Sequence, residues 1–418
     1  NINEVIEFPY IGHITQTLTV NSSSTNVQVQ LLEDGTSLEE VVVTGYGTQR
    51  KKDLTGSVAI VDVELLKSQP AATAVEALQG KATGVQIVND GAPGSTPQIK
   101  IRGYSTINNN EPLYIIDGVP FEGKLSWLNQ NDIESMQVLK DASAASIYGA
   151  RANNGVVIIT TKTGKSGKPQ ISLDSYVGVQ SPQRDRFPKM LTPQQNLDMQ
   201  NRINGTNNTL PEYLMAGKIY GNDITPADAD MSKYNYSRDF ATFYQITKAN
   251  KEGTDWFREV TQNAPTQSYQ LAATGGSDNA SYAMSGGFLD QKGTVIHSNF
   301  QRYNVRTNTQ FKAFDGKLRF GENMQYGYTR GVGMGVNPNQ AGGYMGDASV
   351  IGWAFRIQNI VPVYDEGGNF AGTRGGYGNG ENPVAVAYRM KDDVNKSNFF
   401  FGNIFGEVDI LEGLTYRT

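Results

Sequence analysis

The chain has 418 residues, no cysteine, two histidines, and 36 basic against 41 acidic side chains, a net charge of −5. Without cysteine there is no disulfide framework and no thiolate metal site; two histidines argue against a histidine-rich metal centre or a Ser-His-Asp hydrolase, and the acidic balance against a nucleic-acid partner. Rich Gly, Tyr and Phe with only 18% charged residues point to strands and loops, and no apolar run approaches the roughly 18 residues of a membrane helix.

Residues 1–34 hold two short alternating runs, "HITQTLTVN" and "TNVQVQLLED", split by a Ser-rich turn; they read as the last hairpin of a small β-domain. Next comes "LEEVVVTGYGTQRKK", Leu38–Lys52. The β-branched run Val41–Thr44 favours a strand, yet the acids before it and Gly45 and Gly47 after it leave it no obvious partner. "VTGYG" matches a potassium-filter string, but such filters sit between membrane helices. A phosphate loop would need a following helix, whereas "TQRKKDLTGSVAIVD" alternates like a strand. A plain edge strand is the competing reading.

Residues 53–168 mix elements into a compact α+β domain. "TAVEALQG" is a short helix stopped by Gly80. "GVQIVND", "QIKIRG", "PLYIIDG", "SMQVLK" and "GVVIITTK" are strands, and "KDASAASIYGARANNG" is a small-residue helix and turn.

After Lys168 the pattern changes. "QISLDSYVGVQ" sets Ile171, Leu173, Val177 and Val179 on one face, with Asp174, Tyr176 and Gln180 on the other. In "YNVRTNTQFKA", Tyr303, Val305, Thr307, Thr309, Phe311 and Ala313 oppose Asn304, Arg306, Asn308, Gln310 and Lys312. Asp315-Gly316 reads as a two-residue hairpin turn, which sets Ala313 against Leu318, Phe311 against Phe320, Val305 against Tyr326 and Tyr303 against Tyr328. Strands of this length, greasy on one face with tyrosines at the rim and wet on the other, fit a membrane barrel with a polar lumen. A soluble antiparallel sheet with one solvated face is the alternative. Glu322 falls on the apolar face, against the pattern. Strands are expected at 170–180, 268–274, 280–289, 303–313, 318–329, 398–410 and 414–418, and the connections between them alternate long and short, as in outer-membrane barrels. These strands cannot close a barrel, and an open sheet edge cannot lie in hydrocarbon, so the sequence reads as a fragment of a longer polypeptide.

"EEVVVTGYGTQRKKDLTGSV", "IRGYSTINNNEPLYIIDGVP", "NDIESMQVLKDASAASIYGARANNGVVIITTKTG" and "DILEGLTYRT" together resemble the TonB-dependent outer-membrane transporters, in their SusC-like (SusC/RagA) branch. The resemblance implies a membrane β-barrel, 22-stranded in the family, with only about seven strands in this sequence and an N-terminal α+β plug domain filling the lumen. It implies these divisions: 1–34, the end of a carboxypeptidase-regulatory-like extension; 35–52, TonB box and linker; 53–168, plug; 169–418, the first part of the barrel with long extracellular loops. It also implies TonB-dependent import of a bulky nutrient across the outer membrane of a Gram-negative bacterium. The cargo would be an oligosaccharide or, alternatively, an oligopeptide, and a SusD-like surface lipoprotein would be the partner. No enzymatic activity and no cofactor are implied.

On the same resemblance, Glu40, Val41, Val42, Val43, Thr44 and Gly45 form the TonB-binding segment, taken up as an extra strand by TonB of the inner-membrane energising complex. Arg102 in "KIRGY" and Arg151 in "YGARANNG" match latch residues that pair with barrel glutamates; general plug-to-wall packing is the plainer reading. Asn108, Asn109, Asn110 and Glu111 form a polar loop that is a candidate for cargo contact. Trp127 is another: exposed, it could stack on a sugar face; buried, it would simply pack the plug. Asp228 and Asp230 could touch a metal, but a solvated loop is the plainer reading. A secreted β-rich glycan-binding protein or adhesin without transport is the reading from another class.

Overall fold

A computed structural model describes residues 4–8, 16–20, 41–44, 47–50, 58–61, 73–89, 91–104, 110–141, 146–217, 229–237, 239, 241–333, 349–372, 380–411 and 413–418. β1 (Glu4–Phe8) and β2 (Gln16–Val20) form an antiparallel pair. The strand expected within 25–34 lies outside the described residues. β3 (Val41–Thr44) folds back on β4 (Gly47–Arg50), with Val41 opposite Arg50 and Thr44 opposite Gly47. This corrects the expectation of an unpaired strand: the β-branched run finds its partner two residues away, the shortest connection a hairpin allows. The sheet has only these two strands, so β3 keeps one edge without a partner among the described residues.

The α+β unit contains β5 (Val58–Val61), α1 (Ala74–Ala77), β6 (Val85–Val88), β7 (Gln98–Ile101), β8 (Leu113–Ile116), β9 (Val119–Phe121), β10 (Ile133–Leu139) and β11 (Val156–Thr161). Thr73 caps α1 by accepting the Glu76 N–H at 3.2 Å, and Gly80 leaves it at φ 74°. The main sheet runs β5-β10-β11-β8-β9, with β8 and β11 parallel and the other neighbours antiparallel; β6 and β7 pair separately. β8 and β11 are apolar at every early position because both faces are covered. Ile116, Val157 and Ile159 join α1 and Leu128 in one cluster, and Leu113, Ile115 and Ile158 join Ala152 and Leu139 in another. Part of the expected helix at 140–155 lies outside the described residues; the rest, Ser146–Asn154, is 3-10 turns broken at Gly149.

β12 (Gly167–Gln180) begins a curved sheet, and β13 (Tyr213–Gly217) and β14 (Gln245–Lys248) form a hairpin within the connection that follows it. β15 (Ala264–Gly276), β16 (Ala280–Lys292), β17 (Asn299–Ala313), β18 (Leu318–Val332), β19 (Asn395–Leu411) and β20 (Leu414–Arg417) continue it as a seven-stranded antiparallel meander. All the expected strands are there, and every pairing expected across the β17–β18 turn is observed. The turn itself differs. It spans 314–317, and Phe314, Asp315 and Gly316 all take left-handed φ, at 54°, 53° and 83°. Residues 314 and 317 open symmetrically about Asp315-Gly316, so the four-residue turn keeps the register a two-residue turn would give, and Ala313 still faces Leu318.

The burial of this sheet is inverted relative to a soluble protein. Val305, Phe400 and Ile404 are 55, 68 and 74% exposed, while Asn304 and Arg306 are each 2% exposed. Glu322 does lie on the outer face, where its carboxylate accepts hydrogen bonds from Thr309 Oγ1 at 3.0 Å and Thr307 Oγ1 at 3.3 Å.

The connections 277–279, 314–317 and 412–413 leave one rim, and 181–263, 293–298 and 333–394 the other. The long ones are folded. They carry α2 (Pro193–Asn204), α3 (Trp256–Glu259), α4 (Val350–Arg356) and α5 (Pro383–Met390), and they share a core of Trp256, Phe257, Val260, Val350, Ile357 and Val361. In this cap Tyr234 donates to Asp365 at 2.9 Å, and burial pushes its phenol up to about 12.

Candidate functional site

The α+β unit and the sheet meet along a polar seam. Strand alternation turns Arg302, Asn304 and Arg306 of β17 inward together, and each finds a plug group. Arg302 Nη1 donates to the carbonyls of Ser126 at 3.3 Å and Leu128 at 3.2 Å. Arg306 Nη2 donates to Thr161 Oγ1 at 2.6 Å and to the carbonyl of Lys162. Asn323, inward on β18, donates to Asp117 and, at 3.3 Å, to Thr161 Oγ1. Guanidinium groups removed from water are costly unless hydrogen-bonded, and here backbone carbonyls and hydroxyls hold them.

Asp132 is the centre of the seam. Its Oδ1 accepts from Gln270 Nε2 of β15 and Ser285 Oγ of β16, both at 2.6 Å, and its Oδ2 from Asn304 Nδ2 of β17 at 3.4 Å. One plug carboxylate thus bridges three neighbouring strands. Burial pushes the Asp132 carboxyl above its ordinary value; the Ser285 hydroxyl and then the Arg306 and Arg302 charges pull it back.

Toward the rim with the long connections, aromatic contacts replace the polar ones. Trp127 stacks on Phe399 of β19 with ring centroids 4.5 Å apart, and Phe121 meets the Phe399 and Phe401 rings edge-on at 5.3 and 5.9 Å. Gly327 of β18 lies so close that a Cβ there would be 2.7 Å from the Trp127 Cβ.

The sequence candidates fall as follows. Trp127 is 2% exposed, the packed one of the two readings: its ring lies against Phe399 and Phe121. Arg102 pairs with Asp141, and Arg151 lies 3.7 Å from Glu122; both partners belong to the plug rather than to the strands present. Asn110 and Glu111 precede β8, and the Glu111 carbonyl accepts from Asn154 Nδ2 at 3.3 Å. Asn108, Asn109, Glu40, Gly45 and Asp228 lie outside the described residues. Asp230 is engaged as a cap, accepting from the Ser232 N–H at 2.9 Å and hydroxyl at 2.7 Å. Sequence reading missed Asp132, Arg302 and Gln270 as seam residues. The one available signal was a run of charged and amide residues on a face that a barrel must turn inward.

The profile of the TonB-dependent Receptor Plug Domain matches residues 50–156. TonB-dependent receptor P3 of Formosa agariphila is 33% identical over 100% of this chain and 37% of its own length. TonB-dependent receptor SusC of Bacteroides thetaiotaomicron is 33% identical over 96% of this chain and 38% of its own length. The solved RagAB peptide importer in its open-open state superposes over 90% of this chain and 41% of its own, with a TM-score of 0.66 at 28% identity. The chain therefore spans little more than a third of the curated relatives it matches. A sheet that buries its polar face on a plug and exposes its apolar one is what a plugged barrel in lipid requires, and with these relatives the chain belongs to the TonB-dependent receptors of SusC/RagA type, β-barrel proteins of the Gram-negative outer membrane.

Proposed function

We propose that the protein containing this chain imports a bulky nutrient, an oligosaccharide, across the outer membrane, driven by TonB and working with a SusD-like surface lipoprotein. The observation that carries the reading is the seam itself: a plug held by Asp132, Arg302 and Arg306 against a polar wall must be displaced before large cargo can pass. Divisions at 35, 53 and 169 separate the extension, TonB box, plug and barrel. Residues 40–45 are the TonB-binding segment. The edge of β3 that has no partner among the described residues supports this, because strand addition needs a free edge. Arg102 and Arg151 act as latches toward barrel carboxylates, and the loop of Asn108, Asn109, Asn110 and Glu111 meets cargo. Oligopeptide cargo is the second reading, favoured by the likeness to the RagAB peptide importer. The test is uptake of labelled oligosaccharide by cells, with and without residues 40–45. The deletion should abolish uptake and spare surface binding; uptake that persists would reduce the segment to a linker.

A further inference from the structure

The seam is not closed along its whole length. Between the plug loop 121–127 and strands β17–β19, near the rim with the long connections, lies a cleft of about 550 Å³, within the range of small-molecule sites, about 300–1,000 Å³. Its origin is in the sequence. Strand alternation turns Gly327, Thr329 and Gly331 of "GYTRG" inward in succession, so β18 offers almost no side chain where it passes this loop. Farther down the same face Asn323 and Gln325 fill the space. Two aromatic contacts bound the cleft: Phe300 covers Gly94 on one flank, and Phe399 stacks on Trp127 on the other.

Its lining has a definite chemistry. Ser126, Asn299, Thr329, Asn395 and Ser397 bring uncharged hydroxyls and amides, and Phe121, Phe300 and Phe399 bring ring carbons. The charged lining residues Glu122, Lys124 and Lys396 are all exposed. A second observation points the same way: Trp127 lines the cleft, and its indole N–H is buried without an acceptor. Such an orphaned donor costs free energy until something accepts from it.

We propose that this cleft is a cargo subsite for one neutral, hydroxyl-bearing sugar ring, and that its occupation shifts Trp127 on Phe399 so that the indole N–H gains an acceptor. The C–H face of a pyranose packs on ring carbons while its rim of hydroxyls meets the side-chain hydroxyls and amides. Because Trp127 bridges plug and wall, the occupied cleft loosens the aromatic half of the seam and leaves the Asp132 half intact. This inference rests on the import reading above and names the place on the plug–wall boundary where cargo is sensed.

The full transporter carrying this chain, purified in detergent, is titrated calorimetrically with maltohexaose, laminarihexaose and xylohexaose, and with a tryptic casein digest as the peptide arm. At least one hexasaccharide should bind. Thr329→Phe and Ser397→Trp, which fill the cleft, should weaken it at least about tenfold, and Trp127→Phe, which keeps a ring but deletes the donor, by about three- to tenfold. Trypsin resistance of the plug, unchanged from wild type, confirms that the variants fold. Unchanged sugar affinity in correctly folded variants overturns the proposal, as does binding of the peptide digest alone or of no sugar. Uptake by cells lacking TonB is scored separately: TonB-independent uptake sinks the import reading, whereas normal coupling with unaltered variants sinks only the cleft.

Discussion

Gln270 of β15 donates its side-chain amide to Asp132 of the plug at 2.6 Å, across a boundary that 138 residues of sequence separate. Ser285 and Asn304 donate to the same carboxylate from the next two strands. Asp132→Ala should leave these donors buried and unsatisfied, at a cost of about 1–3 kcal/mol. The expected result is a plug that trypsin cleaves faster while the barrel band survives; equal protection would show that the contact holds nothing.

The raised Asp132 carboxyl gives this anchor a pH dependence. The seated plug holds the proton to higher pH than the released one. Plug stability should therefore fall as pH rises from the ordinary carboxylate range, about 3.9, to the raised value, and stay level above it. Thermal release of the plug, followed by calorimetry, should show this slope in wild type and lose it in Asp132→Asn.

Gly327 permits the closest approach of wall to plug. Gly327→Ala should push Trp127 off its stack and cost about 1–3 kcal/mol by overpacking. Melting temperature is the readout, and a value equal to wild type would mean that the loop moves aside freely.

The strands were legible because their period of two carries chemistry on both faces: Tyr303, Val305 and Phe311 alternate with Asn304, Arg306 and Asn308, and the pairing with β18 followed from matching apolar residues across the turn. The seam was not legible. Asp132 meets Gln270 and Arg306 meets Thr161 only after the sheet curves over the plug, and nothing local marks the match. The choice between an exposed and a packed Trp127 was not legible for the same reason: its stacking partner, Phe399, lies far along the chain. The cap core was missed although α2 carries a capping box, Thr192 with Gln195, and a left-handed Gly205. Those signals sat inside connections read as loops.

β3 pairs with β4 rather than standing free, so the TonB docking proposed above would either use the edge of β3 that has no partner among the described residues or break that hairpin. Val42→Pro removes one N–H and should weaken strand addition. Pull-down by the periplasmic part of TonB should fall by more than about tenfold, a loss of about 1.4 kcal/mol or more; unchanged capture would place the contact elsewhere.

Val305 faces outward and Gln310 inward on the same strand. Val305→Arg should impair folding into vesicles, since a lipid-facing arginine costs about 2–4 kcal/mol at mid-bilayer. Gln310→Arg, beside a polar cavity of about 300 Å³, should fold normally. Asn304 cannot serve as that control, because it is pinned against Asp132.

The most direct measurement is spin-label accessibility along β17 and β18 in the full-length protein in bilayers, with labels at 303, 305, 311, 320 and 326 and at 308 and 325. The first set should relax with lipid-soluble oxygen; the second should see neither oxygen nor a water-soluble reagent until the plug is deleted, and then the water-soluble reagent alone. Water-soluble access to the first set with the plug in place would contradict a membrane wall closed by a plug.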